Sequence, residues 1–275
     1  MTDKFKKQME NLKNNIDNKI KNLLENSDEL QEFIKFHKAN FKTYSIRNSL
    51  LIYSQYPTAR HVAGFNKWKE IGFEIKKGEK AIKILVPLIK KASDSDEKIY
   101  GYKYVNVFDI SQVQDKDGKA IKTPIIDVEL KAKKSTKYSS DMLYKATKEA
   151  IEDDCCVFLD KNISALGYTD GKRIFIKDSG KYVDMTGIMV HEYIHLKNHY
   201  IGKKRSKNQE EVEAEIGSVI YGAYFNLDIK NLYKYIAIYS KDVDLQECFD
   251  MAYKTVEPFI ERVEQRLNIY NEDVA

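Results

Sequence analysis

The segment from His191 to His195 has residue types at the spacing of a metal-dependent hydrolytic site. The two histidines are four residues apart, so on a helix both imidazoles point from one face toward a single ion. Glu192 lies next to the open coordination position, where its carboxylate is expected to act as general base toward water that the ion has made more acidic. This spacing predicts a zinc-dependent metallopeptidase, with another divalent transition metal as an alternative. The competing interpretation is that both histidines are ordinary surface residues.

Zinc held by two histidines normally takes a third protein ligand, and the next predicted helix is rich in glutamate. Glu211 and Glu215 are one helical turn apart beside the apolar stripe of this helix, which directs both carboxylates toward the histidine pair. Their ExxxE spacing resembles the ExxxD of gluzincins, in which the first acid ligates the metal and the second hydrogen-bonds a ligand histidine. This resemblance makes Glu211 the preferred ligand and assigns Glu215 to a hydrogen bond with a ligand histidine or, alternatively, to the metal itself. Glu210 and Glu213 are expected on a solvated face. His199 is left out, because no glycine breaks the helix before it.

The N-terminal half of the chain is basic, whereas the C-terminal half is acidic. Residues 1–134 carry 27 Lys and Arg against 18 Asp and Glu, and residues 135–275 carry 19 against 24. A basic excess confined to one half suggests contact with a polyanion. A lysine-rich but merely soluble surface is the alternative.

Aromatic rings, cations and amides are mixed within this basic half, as in sites for single-stranded DNA, where rings stack on bases and cations neutralise phosphates. Rings at helical spacing are more often core residues, so Trp68 and its neighbours have a buried position as their alternative. The residues assigned to DNA binding are Tyr44, Arg47, Asn48, Tyr56, Arg60, Lys67, Trp68, Lys77 and Lys80.

The pattern of apolar residues predicts an α+β protein with two domains. A domain of helices followed by a small sheet, which would bind single-stranded DNA, is expected at 1–130. A metallopeptidase domain with a small sheet and the HExxH helix is expected at 131–275. The charged segment 114–137 is the expected linker between them.

Within the first domain, strand-like segments are predicted at 73–89, with Lys77-Gly78-Glu79 as a turn, and at 100–108, with a polar loop at 90–98 between them. Within the second, a hairpin at 166–176 precedes a series of long helices. These helices are expected at 184–200, 208–225, 229–239 and 245–269.

Several classes of protein and of site are disfavoured by composition. No apolar run approaches the roughly 18 to 20 residues that a membrane span needs, and the first 24 residues are too charged for a secretion signal, so a cytoplasmic protein without membrane contact is expected. The cysteines, Cys155, Cys156 and Cys248, form no CxxC pair and are expected in the core of the protein. A thiolate zinc site is therefore disfavoured.

The blocks of the basic half resemble the N-terminal domain of ArdC-type antirestriction proteins, which are related to LtrC-like proteins of conjugative elements. The resemblance covers about residues 34–113 and depends on several blocks in order. They are Tyr44-Ser-Ile-Arg47-Asn48-Ser-Leu-Leu-Ile, Gln55-Tyr56-Pro57, Val62-Ala63-Gly64-Phe65, Trp68, Lys77-Gly78-Glu79-Lys80 and Val107-Phe108-Asp109-Ile110-Ser111-Gln112.

This resemblance implies a protein of a mobile element that binds incoming single-stranded DNA and carries a zincin-like domain, with the HExxH segment and the segment Glu211 to Gly217 as its second motif. The C-terminal half also resembles ImmA/IrrE-type proteases, which implies a regulatory protease that cleaves a repressor as the alternative function. A third interpretation is a DNA-protecting protein with a vestigial peptidase site. The chain departs from the family in its lysine-rich start, Met1 to Asn26, and in Tyr193-Ile194, so the protein or peptide substrate stays open.

Overall fold

The structure is a computed structural model, and it divides the chain into two compact units. Unit 1 comprises Met1–Gln31 and Lys133–Ala275, and unit 2 comprises Glu32–Ala132. The residues that the structure describes are 3–93, 96–119, 121, 138–199, 205–227 and 243–272. Most of the expected linker and the helix expected at 229–239 therefore lie outside the described residues.

The first helix, α1 (Asp3–Glu25), belongs to unit 1, whereas the sequence-based division groups residues 1–130 together. Its side chains Ile16, Ile20 and Leu23 are fully buried. On the same helix, Asp17 accepts a hydrogen bond of 3.0 Å from Gln246. The apolar face of α1 thus completes the core of unit 1, which explains why this helix groups with the C-terminal half.

Unit 2 is built from helices packed on a small antiparallel sheet. Strand order in the main sheet is β1-β4-β3, and β2 pairs with β5 in a separate two-stranded sheet. Its elements are α2 (Ser27–Asn40, whose first residues belong to unit 1), α3 (Ile46–Gln55), β1 (Val62–Gly64), α4 (Phe65–Glu70), β2 (Glu74–Ile75), β3 (Ile82–Ser93), β4 (Asp96–Asp109), a 3-10 turn (Ile110–Gln112) and β5 (Val113–Gln114).

The polar loop predicted at 90–98 is wrong, because β3 and β4 continue through it as a paired ribbon. Lys90 pairs with Lys98, and Ser93 pairs with Asp96. Backbone pairing between antiparallel strands does not require apolar side chains, so a polar sequence can extend a hairpin beyond the part that covers a core. The turn predicted at Lys77-Gly78-Glu79 is confirmed, since it lies between β2 and β3.

Unit 1 has a three-stranded sheet with helices packed on one of its faces. Strand order is β6-β8-β7, with β6 parallel and β7 antiparallel to β8. The side chains Val157, Ile174 and Ile176 are buried. The further elements of unit 1 are α5 (Ser140–Glu152), β6 (Cys156–Asp160), β7 (Gly167–Thr169), β8 (Arg173–Lys177), α6 (Tyr182–His199), α7 (Lys207–Tyr224) and α8 (Leu245–Glu272). The hairpin predicted at 166–176 is confirmed by β7 and β8.

Helices α6 and α7 approach each other closely at Gly217. A Cβ atom at this position would lie 2.1 Å from Cδ1 of Ile194, which is closer than real Cβ contacts allow. The start of α7 is fixed by a capping box, in which the Ser206 hydroxyl accepts from the Gln209 backbone N–H and the Gln209 side chain accepts from the Ser206 N–H. The capping box therefore sets where α7 begins, and Gly217 sets how closely α7 packs on α6.

Two further expectations were tested by the fold. Among the helices that the structure describes, none combines the length and the apolar character needed to cross a membrane. The expectation that all three cysteines are core residues is wrong for Cys156, which is exposed, and correct for Cys248, which is buried. Cys156 opens strand β6 on its outward face, where a short side chain is not covered.

Candidate functional site

The predicted metal-binding side chains come together between α6 and α7. One ligand atom from each of His191, His195 and Glu211 lies within 4.8 Å of the others. The two histidine Nε2 atoms are 2.9 Å apart, and each lies 3.7 Å from Oε2 of Glu211. Two residues one turn apart on α6 and one residue on α7 thus present three donor atoms to a single point.

The spacing of these three atoms suits a small divalent metal ion. A triangle with sides of 2.9, 3.7 and 3.7 Å is inscribed in a circle of radius about 2.0 Å. Zinc is bound at about 2.0–2.1 Å by histidine nitrogen and at about 2.0–2.2 Å by carboxylate oxygen. One ion can therefore contact all three atoms without movement of either helix, and the residues fit the metal that the sequence predicts.

Glu215 faces the opposite ring nitrogen of the first histidine. Its Oε1 atom lies 3.6 Å from Nδ1 of His191, whereas Glu211 faces Nε2 of the same ring. The second oxygen, Oε2 of Glu215, is buried and has no hydrogen-bond partner among the described residues. The two carboxylates therefore lie at different edges of the His191 ring. Glu211 is on the Nε2 side, where the three donor atoms meet, and Glu215 is on the Nδ1 side, away from them.

Glu192 is buried and lies against the edge strand β7. A Cβ atom at Gly167 would be 3.1 Å from Cγ and 3.2 Å from Oε1 of Glu192, and 2.6 Å from Cγ2 of Ile188. Only glycine leaves room for this approach of strand and helix. Burial raises the pKa of Glu192 to about 7, and the adjacent Glu211 adds to this effect. The strand thereby brings backbone next to a carboxylate of raised basicity.

The electrostatics of the site follow from burial of several ionisable groups together. Burial, and then the neighbouring His195, hold the pKa of His191 well below its usual range. Interaction with His195 is the main cause that lowers the pKa of Glu211, whereas burial raises that of Glu215 to about 8. A neutral His191 imidazole and an ionised Glu211 are the protonation states that a metal requires of these two ligands.

Glu213 does not lie on a solvated face, so that expectation is wrong. Its side chain is almost completely buried and forms an ion pair with Arg205, and Nδ2 of Asn198 donates to it at 3.3 Å. Asn198 in turn accepts a hydrogen bond of 2.7 Å from the Thr255 hydroxyl. This network connects α6, α7 and α8, and it fixes the helix that carries Glu211.

Two of the residues assigned to DNA binding have structural roles inside unit 2. Trp68 is 2% exposed, and its Nε1–H donates to the carbonyl of Phe108 at 2.9 Å, so the buried alternative applies to this ring. The Asn48 amide donates to the carbonyl of Leu85 and accepts from its N–H, both at 2.8 Å. The Asn48 side chain thus satisfies both backbone groups of Leu85, as a neighbouring strand would, and joins β3 to α3.

The assigned tyrosines are half-buried, as is Arg47. The hydroxyl of Tyr44 donates to the carbonyl of Val62 at 3.2 Å, and that of Tyr56 lies 3.0 Å from the Ser111 hydroxyl. The side chains of these two tyrosines therefore help to hold loops of unit 2 in place.

The remaining assigned residues are exposed cations. Arg60, Lys67, Lys77 and Lys80 are all exposed, and Lys67 forms an ion pair of 3.0 Å with Glu70. An aromatic ring that the sequence did not single out, Phe65, is 55% exposed at the start of α4. Trp68, three residues later on the same helix, is buried. Two rings at this spacing lie on similar sides of a helix, so the apolar pattern alone does not predict which of them is buried.

One relative shares a short stretch of sequence with this chain. A stretch of 53 residues is 47% identical to an uncharacterized protein of Bacillus anthracis, and it covers 19% of this chain and 9% of that protein. The chain thus spans only a small part of the length of this relative.

Two solved structures of the antirestriction ArdC protein from plasmid R388 are similar in arrangement. The metal-free form has a TM-score of 0.40 at 16% identity and covers 82% of this chain and 85% of that one. The Mn(II)-bound form has a TM-score of 0.42 at 15% identity and covers 81% of this chain and 88% of that one.

The model of one protein family matches residues 2–150, which is more than half of the chain. The family is described as the N-terminal domain of anti-restriction factor ArdC. The matched residues include all of unit 2, with its exposed cations and its amide-braced sheet. The chain therefore belongs to the ArdC antirestriction family.

Proposed function

We propose that this chain joins a metal-dependent peptidase domain to a single-stranded-DNA-binding domain and acts in antirestriction or conjugative transfer of a mobile element. The observation that carries the peptidase half is the convergence of His191, His195 and Glu211 beside the carboxylate of Glu192. A zincin-like fold for the C-terminal half and a functional boundary near residue 130 are parts of the same proposal.

The atoms that would hold the metal are Nε2 of His191, Nε2 of His195 and one oxygen of Glu211. Two imidazoles and one carboxylate are a donor set of catalytic zinc sites, and other divalent transition metals also accept it. When bound, the ion supplies Lewis acidity toward a substrate carbonyl and toward water. Glu215 is assigned to the Nδ1–H of His191, where it keeps the ring turned toward the donor triangle.

Glu192 is assigned the role of general base. Its carboxylate follows His191 on α6 and is held between that helix and strand β7. From this position it can accept a proton from a nucleophilic water and return it to the leaving amine. Burial keeps bulk water away from the carboxylate, which favours proton transfer within the site.

Among the strands that the structure describes, β7 lies at one edge of its sheet, where its outward backbone groups can pair with an extended peptide. Leu166 accepts from the Lys177 N–H at 2.8 Å, and the Asp170 N–H donates to Arg173 at 3.2 Å. Because backbone direction alternates along a strand, the groups of Gly167 and Thr169 between them point away from β8. A peptide can therefore be added to the sheet at this edge, next to Glu192, which supports peptide hydrolysis as the activity.

Single-stranded DNA binding is assigned to the exposed cations of unit 2. Arg60, Lys67, Lys77 and Lys80 supply positive charge for phosphates, and the exposed ring of Phe65 supplies a surface on which a base can stack. Trp68 and Asn48 support this surface from inside the fold and are withdrawn from the set that contacts DNA.

Metal analysis of the purified protein tests the first half of the proposal. Wild type is expected to retain about one equivalent of zinc or of a comparable metal, and His191→Ala is expected to lose it. His61→Ala is the matched control, because His61 is an exposed histidine of unit 2. Equal metal content in wild type and His191→Ala would refute the assigned ligands.

Hydrolysis of a denatured protein such as casein by the metal-loaded enzyme tests the second half. Glu192→Gln is expected to retain the metal and to lower the rate by roughly 10²–10⁴, the usual contribution of a general base. A rate equal to that of wild type would exclude Glu192 from this role. Protection of incoming single-stranded DNA from restriction, measured in cells with the same variant, shows whether antirestriction requires hydrolysis.

A further inference from the structure

The outer face of the sheet in unit 1 carries a row of three aromatic rings that the metal site does not use. Phe158, Phe175 and Tyr168 occupy the same rung on β6, β8 and β7. The first pair of ring centroids is 5.3 Å apart at 20°, and the second is 4.6 Å apart at 10°. Phe158 and Tyr168 are 45% and 43% exposed. The row is thus a stack that solvent reaches at both ends.

One end of the stack coincides with the free edge of the sheet. Tyr168 is the middle residue of β7, and its neighbours Gly167 and Thr169 carry the backbone groups that point away from β8. On the inner face, Gly167 touches Glu192. Tyr168, at the open end of the stack, and Gly167, which lies against the assigned general base Glu192, are therefore adjacent residues that face opposite sides of β7.

We propose that Tyr168 selects an aromatic side chain in the substrate, so that the peptide extends the stack by one ring; this rests on the proposed function. A peptide strand bonded to Gly167 and Thr169 places one residue directly opposite Tyr168, at a position without its own hydrogen bonds to β7. Side chains opposite each other in such a pair are about 4.5–5.5 Å apart at Cβ, which is stacking distance for two rings.

The position of the cleaved bond follows from the same alternation. Residues on either side of the aromatic residue turn their side chains toward the inner face, where Gly167 lets the strand backbone lie close to Glu192. Their backbone is hydrogen-bonded beside Glu192. The substrate class is therefore an extended peptide that is cleaved close to an aromatic residue.

Nucleic acid is a less suitable occupant of this surface. The rings stack on one another, so their faces, which bases would need, are already covered except at the ends of the row. The cation beside the row, Arg173, lies 5.3 Å from the Phe175 centroid and forms an ion pair of 2.7 Å with Asp170. Its charge is committed within the sheet rather than presented to a phosphate.

Mapping the cleavage sites of the metal-loaded protein in a randomised decapeptide library tests the proposal. Wild type is expected to cleave at a fixed distance from an aromatic residue, with kcat/KM about tenfold higher for a phenylalanine peptide than for its alanine counterpart. Tyr168→Ala is expected to reduce this ratio to about one, and Tyr168→Phe to retain it. Tyr102→Ala is the matched control, because Tyr102 is 57% exposed on a strand of unit 2.

Cleavage without aromatic preference, or a preference that persists in Tyr168→Ala, would overturn the subsite. So would Tyr168→Ala weakening the binding of a labelled oligonucleotide while the peptide preference is unchanged, since the row would then be a platform for bases. Binding of the same library to the metal-loaded Glu192→Gln protein separates this inference from the proposed function. Aromatic peptides bound but not cleaved by wild type would refute hydrolysis and support the subsite.

Discussion

The site between α6 and α7 and the DNA-binding surface assigned to unit 2 were both predicted from short sequence blocks, but the structure treats the blocks differently. In the first region His191, His195 and Glu211 converge on one point. In the second region Trp68 is core, Asn48 braces a strand and four cations are exposed. The residues of one block thus converge on a candidate metal site, whereas those of the other have mostly structural contacts or are exposed.

The reason for the difference lies in what each block must position. A helix repeats every 3.6 residues, so residues four apart share a face whatever the rest of the protein does. The unit 2 blocks connect segments that are distant in sequence; for example, Asp109 accepts from the N–H groups of Arg60 and His61, at 2.7 and 2.9 Å. Such residues hold distant segments of unit 2 together.

Replacement of Trp68 is expected to produce the largest effect on stability. Trp68→Ala removes a buried indole and its hydrogen bond to Phe108, and should lower the free energy of unfolding of unit 2 by about 3–5 kcal/mol. Urea denaturation measures this loss, with Phe65→Ala as the control for an exposed ring on the same helix. Reduced DNA affinity in a Trp68→Ala protein of unchanged stability would make Trp68 a direct contact and break the comparison.

Local patterns predicted the helices of the candidate metal site, whereas contacts distant in sequence were not predictable. Helical spacing identified the face of α6 that His191 and His195 share and the orientation of Glu211 and Glu215 toward it. Glu213 was misjudged because its partner, Arg205, lies outside α7 and before its cap. The pairing of polar residues beyond the core part of the β3–β4 hairpin was missed because no apolar alternation signals it.

Acidification is expected to weaken unit 2 through His37. Burial, with a smaller contribution from Lys38, lowers the pKa of His37 to about 4, and its Nδ1 atom lies 2.7 Å from the Ser49 hydroxyl. Unfolded His37 takes up a proton below about pH 6.5, whereas the folded form resists protonation until about pH 4, so stability falls in this window as pH decreases. The expected loss between pH 7 and pH 4 is about 3 kcal/mol.

Urea denaturation of wild type and His37→Gln at a series of pH values isolates this contribution. Carboxylates and the remaining histidines titrate equally in both proteins, so the difference between their free energies of unfolding depends on His37 alone. This difference is expected to change from pH 7 to pH 4. A constant difference across the window would show that His37 is not held neutral by burial.

Close packing of the two site helices is expected to fail when a methyl group is added at Gly217. Gly217→Ala would place Cβ 2.1 Å from Cδ1 of Ile194, and the separation of α6 from α7 should lower stability by about 1–3 kcal/mol and weaken metal binding. Gly101→Ala is the control, since its Cβ would make an ordinary contact of 3.8 Å with Leu88.

Ile194→Val tests whether this contact is the cause. Combined with Gly217→Ala it removes the clashing Cδ1 atom, so the double variant should recover part of the stability and metal affinity that Gly217→Ala loses. Strict additivity of the two substitutions would show that the loss does not come from the contact with Ile194, and alanine's higher helix propensity cannot account for a loss either.

The smallest expected effect concerns two exposed lysines of unit 2, Lys77 and Lys80. Their replacement tests whether the block Lys77-Gly78-Glu79-Lys80 contacts DNA. Lys77→Ala and Lys80→Ala should each lower affinity for a single-stranded oligonucleotide a few-fold and reduce the slope of log K against log salt by about 0.7, the value for one phosphate contact on a single strand. Lys161→Ala is the control, because Lys161 is an exposed lysine of unit 1. Stability should be unchanged in all three, since each side chain is exposed and a surface charge contributes little. An unaltered salt slope in the double variant Lys77→Ala/Lys80→Ala would remove these lysines from the interface and leave that block with an architectural role alone.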